Sequence, residues 1–197
     1  MRQLTYSMGM SLDGYITGPD GTFDWADPDP EVFQLSLDEL DGIGTHLLGR
    51  RIHEAMLYWE TAEERQELDA QELEWARRWK QLPKVVFSTT LTTVEGTNTR
   101  LATRSLAAEV AALKAEPGTG DIAIAGATLA AQAADLDLID EYLVRVFPVL
   151  VGGGQPFFAH HGHKRELELV ENRTVGTVGR VVYLRYRVRR PGGRVPT

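Results

Sequence analysis

The chain has 197 residues, 43% of them apolar and 25% charged, with a formal charge of −7 and no cysteine. That length can bury one substantial core, so a single domain is expected, and the missing thiols exclude disulfides, thiolate zinc sites and cysteine nucleophiles. The negative balance argues against a nucleic-acid partner, no apolar run reaches the roughly 18 residues of a membrane helix, and Met1–Thr5 carries Arg2 instead of a signal-peptide apolar region, so a cytoplasmic location is expected.

Leu4, Tyr6, Met8 and Met10 alternate with smaller residues, the period of two that predicts an opening strand. Turn formers dominate from Ser11 to Pro30, with Asp13-Gly14, Gly18-Pro19, Asp20-Gly21 and Asp27-Pro28 punctuating a long connection that carries Phe23 and Trp25. A connection of this length is expected to be functional, ordering over a bound ligand. A short helix follows through Val32, Leu35 and Leu40, then a strand over His46–Leu48 ending at Gly49, with helical character after Arg51. Leu68, Trp75, Ala76, Trp79 and Leu82 form the stripe of one amphipathic helix between Ala62 and Leu82, supported by Glu74 and Arg78 at i,i+4 and stopped by Pro83.

Lys84-Val85-Val86-Phe87 is short and apolar, as a central strand would be. Ser105 caps a helix through Leu106, Val110 and Leu113, and Ile122–Ala125 is a further buried strand. A small-residue helix begins at Gly126, and Tyr142–Phe147 returns as a strand, giving a βαβ unit with a parallel crossover. After Gly152-Gly153-Gly154, Glu166–Val170 and Val181–Val188 alternate without intervening helices, so the sheet should finish antiparallel. The predicted class is α/β, a mixed and mainly parallel sheet flanked by helices over residues 1–190, with a tail over 191–197.

Three strand ends carry residues suited to phosphate. Leu48-Gly49-Arg50-Arg51 sets a glycine and two guanidinium forks where a strand meets a helix. Ser88-Thr89-Thr90 supplies hydroxyls, although such residues are also ordinary in turns. Gly126-Ala127-Thr128 repeats the strand–glycine–helix arrangement. Neither a G-x-G-x-x-G fingerprint nor a P-loop is present. His160, His161 and His163 invite a metal reading, which the lack of nearby carboxylates other than Glu166 and Glu168 disfavours, so no metal is expected. Arg185, Arg187 and Arg189 share one strand face and suit a solvated or dimer-edge surface better than nucleic acid.

With these residues together, the chain resembles the dihydrofolate reductase-like proteins that include the reductase domain of bacterial riboflavin biosynthesis, the RibD C-terminal type. The likeness rests on Ser11-Leu12-Asp13-Gly14-Tyr15-Ile16, on Leu48-Gly49-Arg50-Arg51 with Glu54, and on Leu138-Ile139-Asp140-Glu141 with Pro148-Val149-Leu150. The resemblance implies an NADPH-dependent reductase of a small heterocyclic, pyrimidine- or pterin-like, or carbonyl substrate. It implies Gly49, Arg50 and Arg51 near the cofactor phosphates, Ser88 and Thr89 at the adenosine end, and Gly126, Ala127, Thr128 and Leu129 against the pyrophosphate. Asp13, which suits a tight turn as well as an acid, would line the site. Asp24 and Trp25 are the other candidates at the reducing end, with Asp27, Asp29 and Glu31 as further carboxylates. Relatives commonly carry threonine at Ile52 and paired glycines at Ala125-Gly126, so a ligand-binding protein of this fold without turnover is the rival reading. The resemblance also implies a homodimer through the late sheet, with Leu184, Tyr186 and Val188 on an edge strand.

Overall fold

The structure is a computed structural model that describes residues 1–26, 29–65, 67–158, 164–177 and 180–190. Among these residues ten strands form, β1 (Leu4–Ser11), β2 (Tyr15–Thr17), β3 (Ile43–Gly49), β4 (Lys84–Phe87), β5 (Thr99–Leu101), β6 (Asp121–Ala125), β7 (Glu141–Phe147), β8 (Gln155–Pro156), β9 (Leu167–Val175) and β10 (Val181–Val188). The α-helices are α1 (Pro30–Asp41), α2 (Arg50–Met56), α3 (Ala62–Arg65), α4 (Ala70–Gln81), α5 (Leu106–Ala115) and α6 (Ala127–Asp135).

Eight strands make one sheet in the order β5-β4-β3-β6-β1-β7-β10-β9, parallel from β5 through β7, with β10 antiparallel to both of its neighbours. The apolar runs of the central strands are explained by burial on both faces. Leu47, Val85 and Ile124 pack with Leu106, Val110 and Leu129 of α5 and α6, while their neighbours Leu48, Val86 and Ala125 pack on the opposite side with Trp79 of α4 and Ile52 of α2. The predicted α/β class, the parallel crossover and the antiparallel finish are all present.

Local chemistry fixes the helix starts. Asp29 accepts from the backbone N–H groups of Glu31 and Val32 at 3.1 and 3.0 Å, with Pro30 in the first turn of α1. Asp69 and Glu72 form a reciprocal capping box at α4. That box corrects the single helix expected over Ala62–Leu82, because α3 ends at Arg65 and a new helix starts at Ala70, leaving Leu68 in the connection.

Three further corrections concern strands. The loop after β1 is not structureless, since β2 pairs with β8 as a small antiparallel ribbon. The strand expected at Glu166–Val170 runs on to Val175. Finally, β10 is no edge. It lies between β7 and β9, Val188 is buried, and Leu184 and Tyr186 pack against the main core, so the exposed border belongs to β9 with Leu169 and Val170. Arg185 and Arg187 both pair with Glu141, which is fully buried, so their shared face serves an ion-pair cluster. The residues of the predicted tail and the three histidines at 160, 161 and 163 lie outside the described set.

Candidate cofactor and substrate site

The sheet creates a crevice by its connectivity. After β3 the chain proceeds through α2 toward β4, and after β6 it crosses through α6 to β7 on the other side of β1. Adjacent strands whose onward connections diverge leave a gap beyond their carboxyl ends, where open α/β sheets bind ligands. Here the two strands are β3 and β6, and each is followed by a glycine at a helix start, Gly49 before α2 and Gly126 before α6.

The two glycines face each other closely. A Cβ on Gly126 would lie 3.6 Å from the Gly49 nitrogen and 3.4 Å from Ile52 Cγ2, and one on Gly49 would lie 3.8 Å from the Ala125 carbonyl oxygen. Gly126 also has φ +98° and ψ 117°, a conformation that favours glycine. Neither helix start has a side-chain cap, so the first-turn N–H groups of α6, over Ala127, Thr128 and Leu129, are offered without a competing hydroxyl or carboxylate. Thr128 is exposed there, while Ala127 and Leu129 are buried anchors.

Cationic groups border this gap. Arg50 pairs with Glu54 at 3.0 Å, but both side chains are more than 40% exposed, so the pair is weak and the guanidinium is easily redirected. Arg51 is exposed and has no ion pair among the described residues. At the end of β4, Ser88 Oγ accepts from the backbone N–H groups of Thr90 and Leu91 at 3.1 and 3.0 Å, so Ser88 shapes the turn and Thr89 is left exposed. The sequence reading did not single out Arg104. It follows β5, whose continuation is tied to β4 by the Ala102 N–H donating to the Val86 carbonyl, so a third exposed guanidinium belongs to the same edge. Only recognition of the three-residue strand β5 would have placed it.

The end of β1 is built differently. Asp13 accepts from the backbone N–H groups of Gly152 and Val151 at 2.8 and 3.2 Å, and these bonds, after that of the Ser11 hydroxyl, hold its carboxyl below the usual range. Ionised and exposed, Asp13 fastens the β1–β2 turn to the glycine-rich segment. Close approach explains one of those glycines, because a Cβ on Gly154 would lie 2.1 Å from the Thr17 carbonyl oxygen.

Trp25 sits in a 3-10 turn over Asp24–Ala26 and meets Phe147 edge-on, with centroids 5.6 Å apart and an interplanar angle of 74°. Its indole N–H is buried without a partner among the described residues. Phe147 in turn lies against Gly9, where a Cβ would approach its ring to 2.9 Å. Asp24 is exposed, Asp29 is committed to the α1 cap and to the Thr177 N–H at 2.7 Å, and Glu31 accepts from the Gly176 N–H at 3.0 Å. Asp27 lies outside the described residues.

A polar cluster beneath Gly9 was not anticipated. Arg145, the register partner of Gly9, donates to Ser36 Oγ at 2.7 Å and Ser7 Oγ at 3.2 Å, and Ser7 donates to Glu39 Oε2 at 2.7 Å. The other Glu39 oxygen is buried and has no hydrogen-bond partner among the described residues. Four polar side chains from β1, β7 and α1 thus meet under the aromatic wall, and the only sequence signal was an arginine inside an apolar strand.

The model of the RibD C-terminal domain family matches residues 2–179. YyaP of Bacillus subtilis (strain 168), an uncharacterized protein, is 28% identical over 183 residues, covering 92% of this chain and 94% of that protein. Among solved structures, a Shewanella sp. PV-4 protein named for riboflavin biosynthesis superposes with a TM-score of 0.74 at 22% identity, covering 95% of this chain and 99% of that one. Dihydrofolate reductase from Enterococcus faecalis, complexed with NADP(H), superposes with a TM-score of 0.60 at 14% identity over 94% of this chain and 96% of the other. These two likenesses establish the shared fold. No helix among the described residues is long and apolar enough to cross a membrane.

Proposed function

The chain belongs to the RibD C-terminal domain family, and from that premise we propose that it is an NADPH-dependent reductase of a small heterocyclic, pyrimidine- or pterin-like, or carbonyl substrate. The observation that carries this reading is the glycine-walled crevice between β3 and β6, at the point where their connections diverge. A dinucleotide needs close backbone approach and N–H donors for its pyrophosphate, and both are present. A reduced nicotinamide, when bound, supplies a hydride to the substrate. The α6 start would hold the pyrophosphate, Arg50 and Arg51 would pair the remaining phosphate charge, and Thr89 would meet the adenosine end. Trp25 and Phe147 would wall the substrate ring, with the Arg145–Glu39 cluster as the nearest polar anchor beneath it.

Titration by nicotinamide fluorescence tests the assignment. The parent should bind NADPH more tightly than NADH, because the extra phosphate offers charge to guanidinium forks. Replacing both Arg50 and Arg51 by alanine should narrow that ratio, and an unchanged ratio would remove their phosphate role. The rival reading, a binder without turnover, draws on Ile52, whose methyl rather than a hydroxyl borders Gly126. Under that reading NADPH binds, and no ring substrate brings about its oxidation.

A further inference from the structure

Gly9 and its partner Arg145 stand level with the mouth of the crevice. Tyr6 of β1 is in register with Ile124 of β6, so Met8 is level with Gly126, and the Gly9–Arg145 pair lies one residue farther toward the carboxyl edge. Only β1 separates β6 from β7, which sets the Arg145 backbone about 10 Å from Gly126, across two strand spacings. Ser7 and Gly9 are part-exposed although a strand flanks β1 on each side, so the sheet is not sealed at this row. The far side of Arg145 is closed. Its partner on β10, Tyr183, is 4% exposed, α1 covers it with Ser36 and Glu39, and the Phe147 ring lies above, against Gly9.

The guanidinium is held in place without being used up. It carries five N–H donors. Ser36 Oγ takes one at 2.7 Å and Ser7 Oγ another at 3.2 Å, while Glu39 Oε2 stays 3.8 Å away and accepts from Ser7 at 2.7 Å instead. The start of the same strand shows what a structural ion pair looks like, since Glu141 is fully buried and gripped directly by Arg185 at 2.6 Å and Arg187 at 3.1 Å. The Arg145 side chain keeps 14% exposure, and none of its nitrogens is a buried atom lacking a partner among the described residues. Its remaining N–H groups are left for the open side, toward the crevice. Glu39 also decides what they can take. A carboxylate 3.8 Å from the guanidinium repels an incoming anion, whereas a neutral carbonyl oxygen gains a charge-assisted hydrogen bond without that penalty.

We propose that Arg145 is a specificity-determining residue whose guanidinium donates to a neutral ring carbonyl of the substrate, with Ser7, Ser36 and Glu39 as its positioning residues. The substrate class is then an oxo-heterocycle, a ring with a lactam or imide oxygen, and not an amino-substituted or anionic ring. An amino group in that place would set donor against donor. The inference rests on the reductase reading for the position of the ring, between Arg145 and the crevice, and it involves no covalent step.

Lumazine, which is pteridine-2,4-dione, and 2,4-diaminopteridine carry oxygens or amino groups on the same ring, and their fluorescence reports binding to the full chain at pH 7, first without cofactor and then with saturating NADP+. The parent should bind lumazine at least about tenfold more tightly than the diamine. Arg145→Met should weaken lumazine by about tenfold or more, the effect of one hydrogen bond to a charged group, and leave the diamine unchanged or tighter. Because that variant strands the Glu39 carboxylate, a double variant, Arg145→Met with Glu39→Gln, repeats the test with no unpaired charge. Glu39→Gln alone should keep the preference for lumazine and raise the affinity for barbiturate, an anionic ring with carbonyl oxygens, a gain that a role confined to folding would not produce. Equal parental affinities for the two pteridines, equal losses of both in the Arg145 variants, no saturable binding of lumazine at millimolar concentration, or a barbiturate affinity indifferent to Glu39→Gln would overturn the proposal. NADPH titration of the parent is read separately. Lumazine preference without NADPH binding would refute the cofactor assignment, whereas NADPH binding without lumazine preference would refute the role of Arg145 alone.

Discussion

Replacing Gly126 by alanine perturbs the crevice in two separable ways. The residue has φ +98°, so a side chain imposes backbone strain of about 1–3 kcal/mol whatever the surrounding space. For a chain of this length, each kcal/mol lowers the melting temperature by roughly 2–4 °C, which gives an expected fall of about 2–12 °C. The new methyl would also stand 3.6 Å from the Gly49 nitrogen and 3.4 Å from Ile52 Cγ2, contacts the core tolerates but which occupy the gap between the glycines. A phosphate group could then no longer approach both backbones, and NADPH affinity should fall at least about tenfold, or about 1.4 kcal/mol. Thermal melting followed by circular dichroism reads the first effect, and NADPH fluorescence titration of the folded variant at 15 °C reads the second. A folded variant with parental affinity would refute the pyrophosphate cradle even if its melting temperature fell. An unchanged melting temperature would refute the strain.

Glu141→Gln removes a fully buried carboxylate that holds Arg185 Nε at 2.6 Å and Arg187 Nε at 3.1 Å, so urea unfolding should show a loss of about 3 kcal/mol, and a loss within measurement error would mean both arginines are satisfied by water. His46 predicts an acid-side slope. Burial first, and the nearby Lys84 second, lower its pKa to about 4, while the unfolded chain takes the proton near 6.5. Stability from this group is therefore complete above pH 6.5 and falls by about 3 kcal/mol as pH drops to 4. His46→Phe should make that slope shallower, the remainder coming from His53, whose imidazole is also held below its ordinary range chiefly by burial. Lys84, lowered to about 8 chiefly by burial, acts only at higher pH.

Features with a local cause were legible in the sequence. Ser105 and the Gly126 turn announce their helices through backbone chemistry, and the alternation in β1 follows from its two unlike faces, Leu4, Tyr6, Met8 and Met10 on the main core and Ser7 in the polar cluster. What escaped depends on partners far along the chain. β5 has three residues and exists because it adds to β4, and β2 has three because β8 meets it from more than a hundred residues away. The break before α4 was legible in principle, as Asp69 and Glu72 have capping-box spacing, but the apolar stripe continued across it and concealed the stop. The Ser7–Glu39–Arg145 cluster draws on β1, α1 and β7, and nothing in any one segment indicates the other two. Leu184, Tyr186 and Val188 were read as an edge because β10 is late in the chain, whereas position in a sheet follows pairing and not chain order.

The connection after β1 divides into two parts with different mechanical character. From Asp13 to Thr17 it is held by Asp13 on the 151–152 backbone, by the Gly14 carbonyl accepting from the Phe157 N–H, and by β2 against β8. From Phe23 to Ala26 the hold is apolar only: Phe23 is 62% exposed, and Trp25 and Ala26 rest on the cluster of Val32, Phe147 and Val181, with the Trp25 indole N–H unpaired among the described residues. A segment anchored by Trp25 and Ala26 against the small cluster of Val32, Phe147 and Val181, and carrying a buried donor unpaired among the described residues, opens at lower cost than the ribbon, and a substrate supplying an acceptor to that N–H would hold it shut. The lid should therefore be the second part alone. Hydrogen exchange should show amides 15–17 protected with or without ligand, and amides 23–26 gaining protection only with NADPH and a substrate analogue together. Gains spread evenly from Asp13 to Ala26 would mean that the ribbon moves too. No gain at 23–26 would remove Trp25 from the substrate pocket.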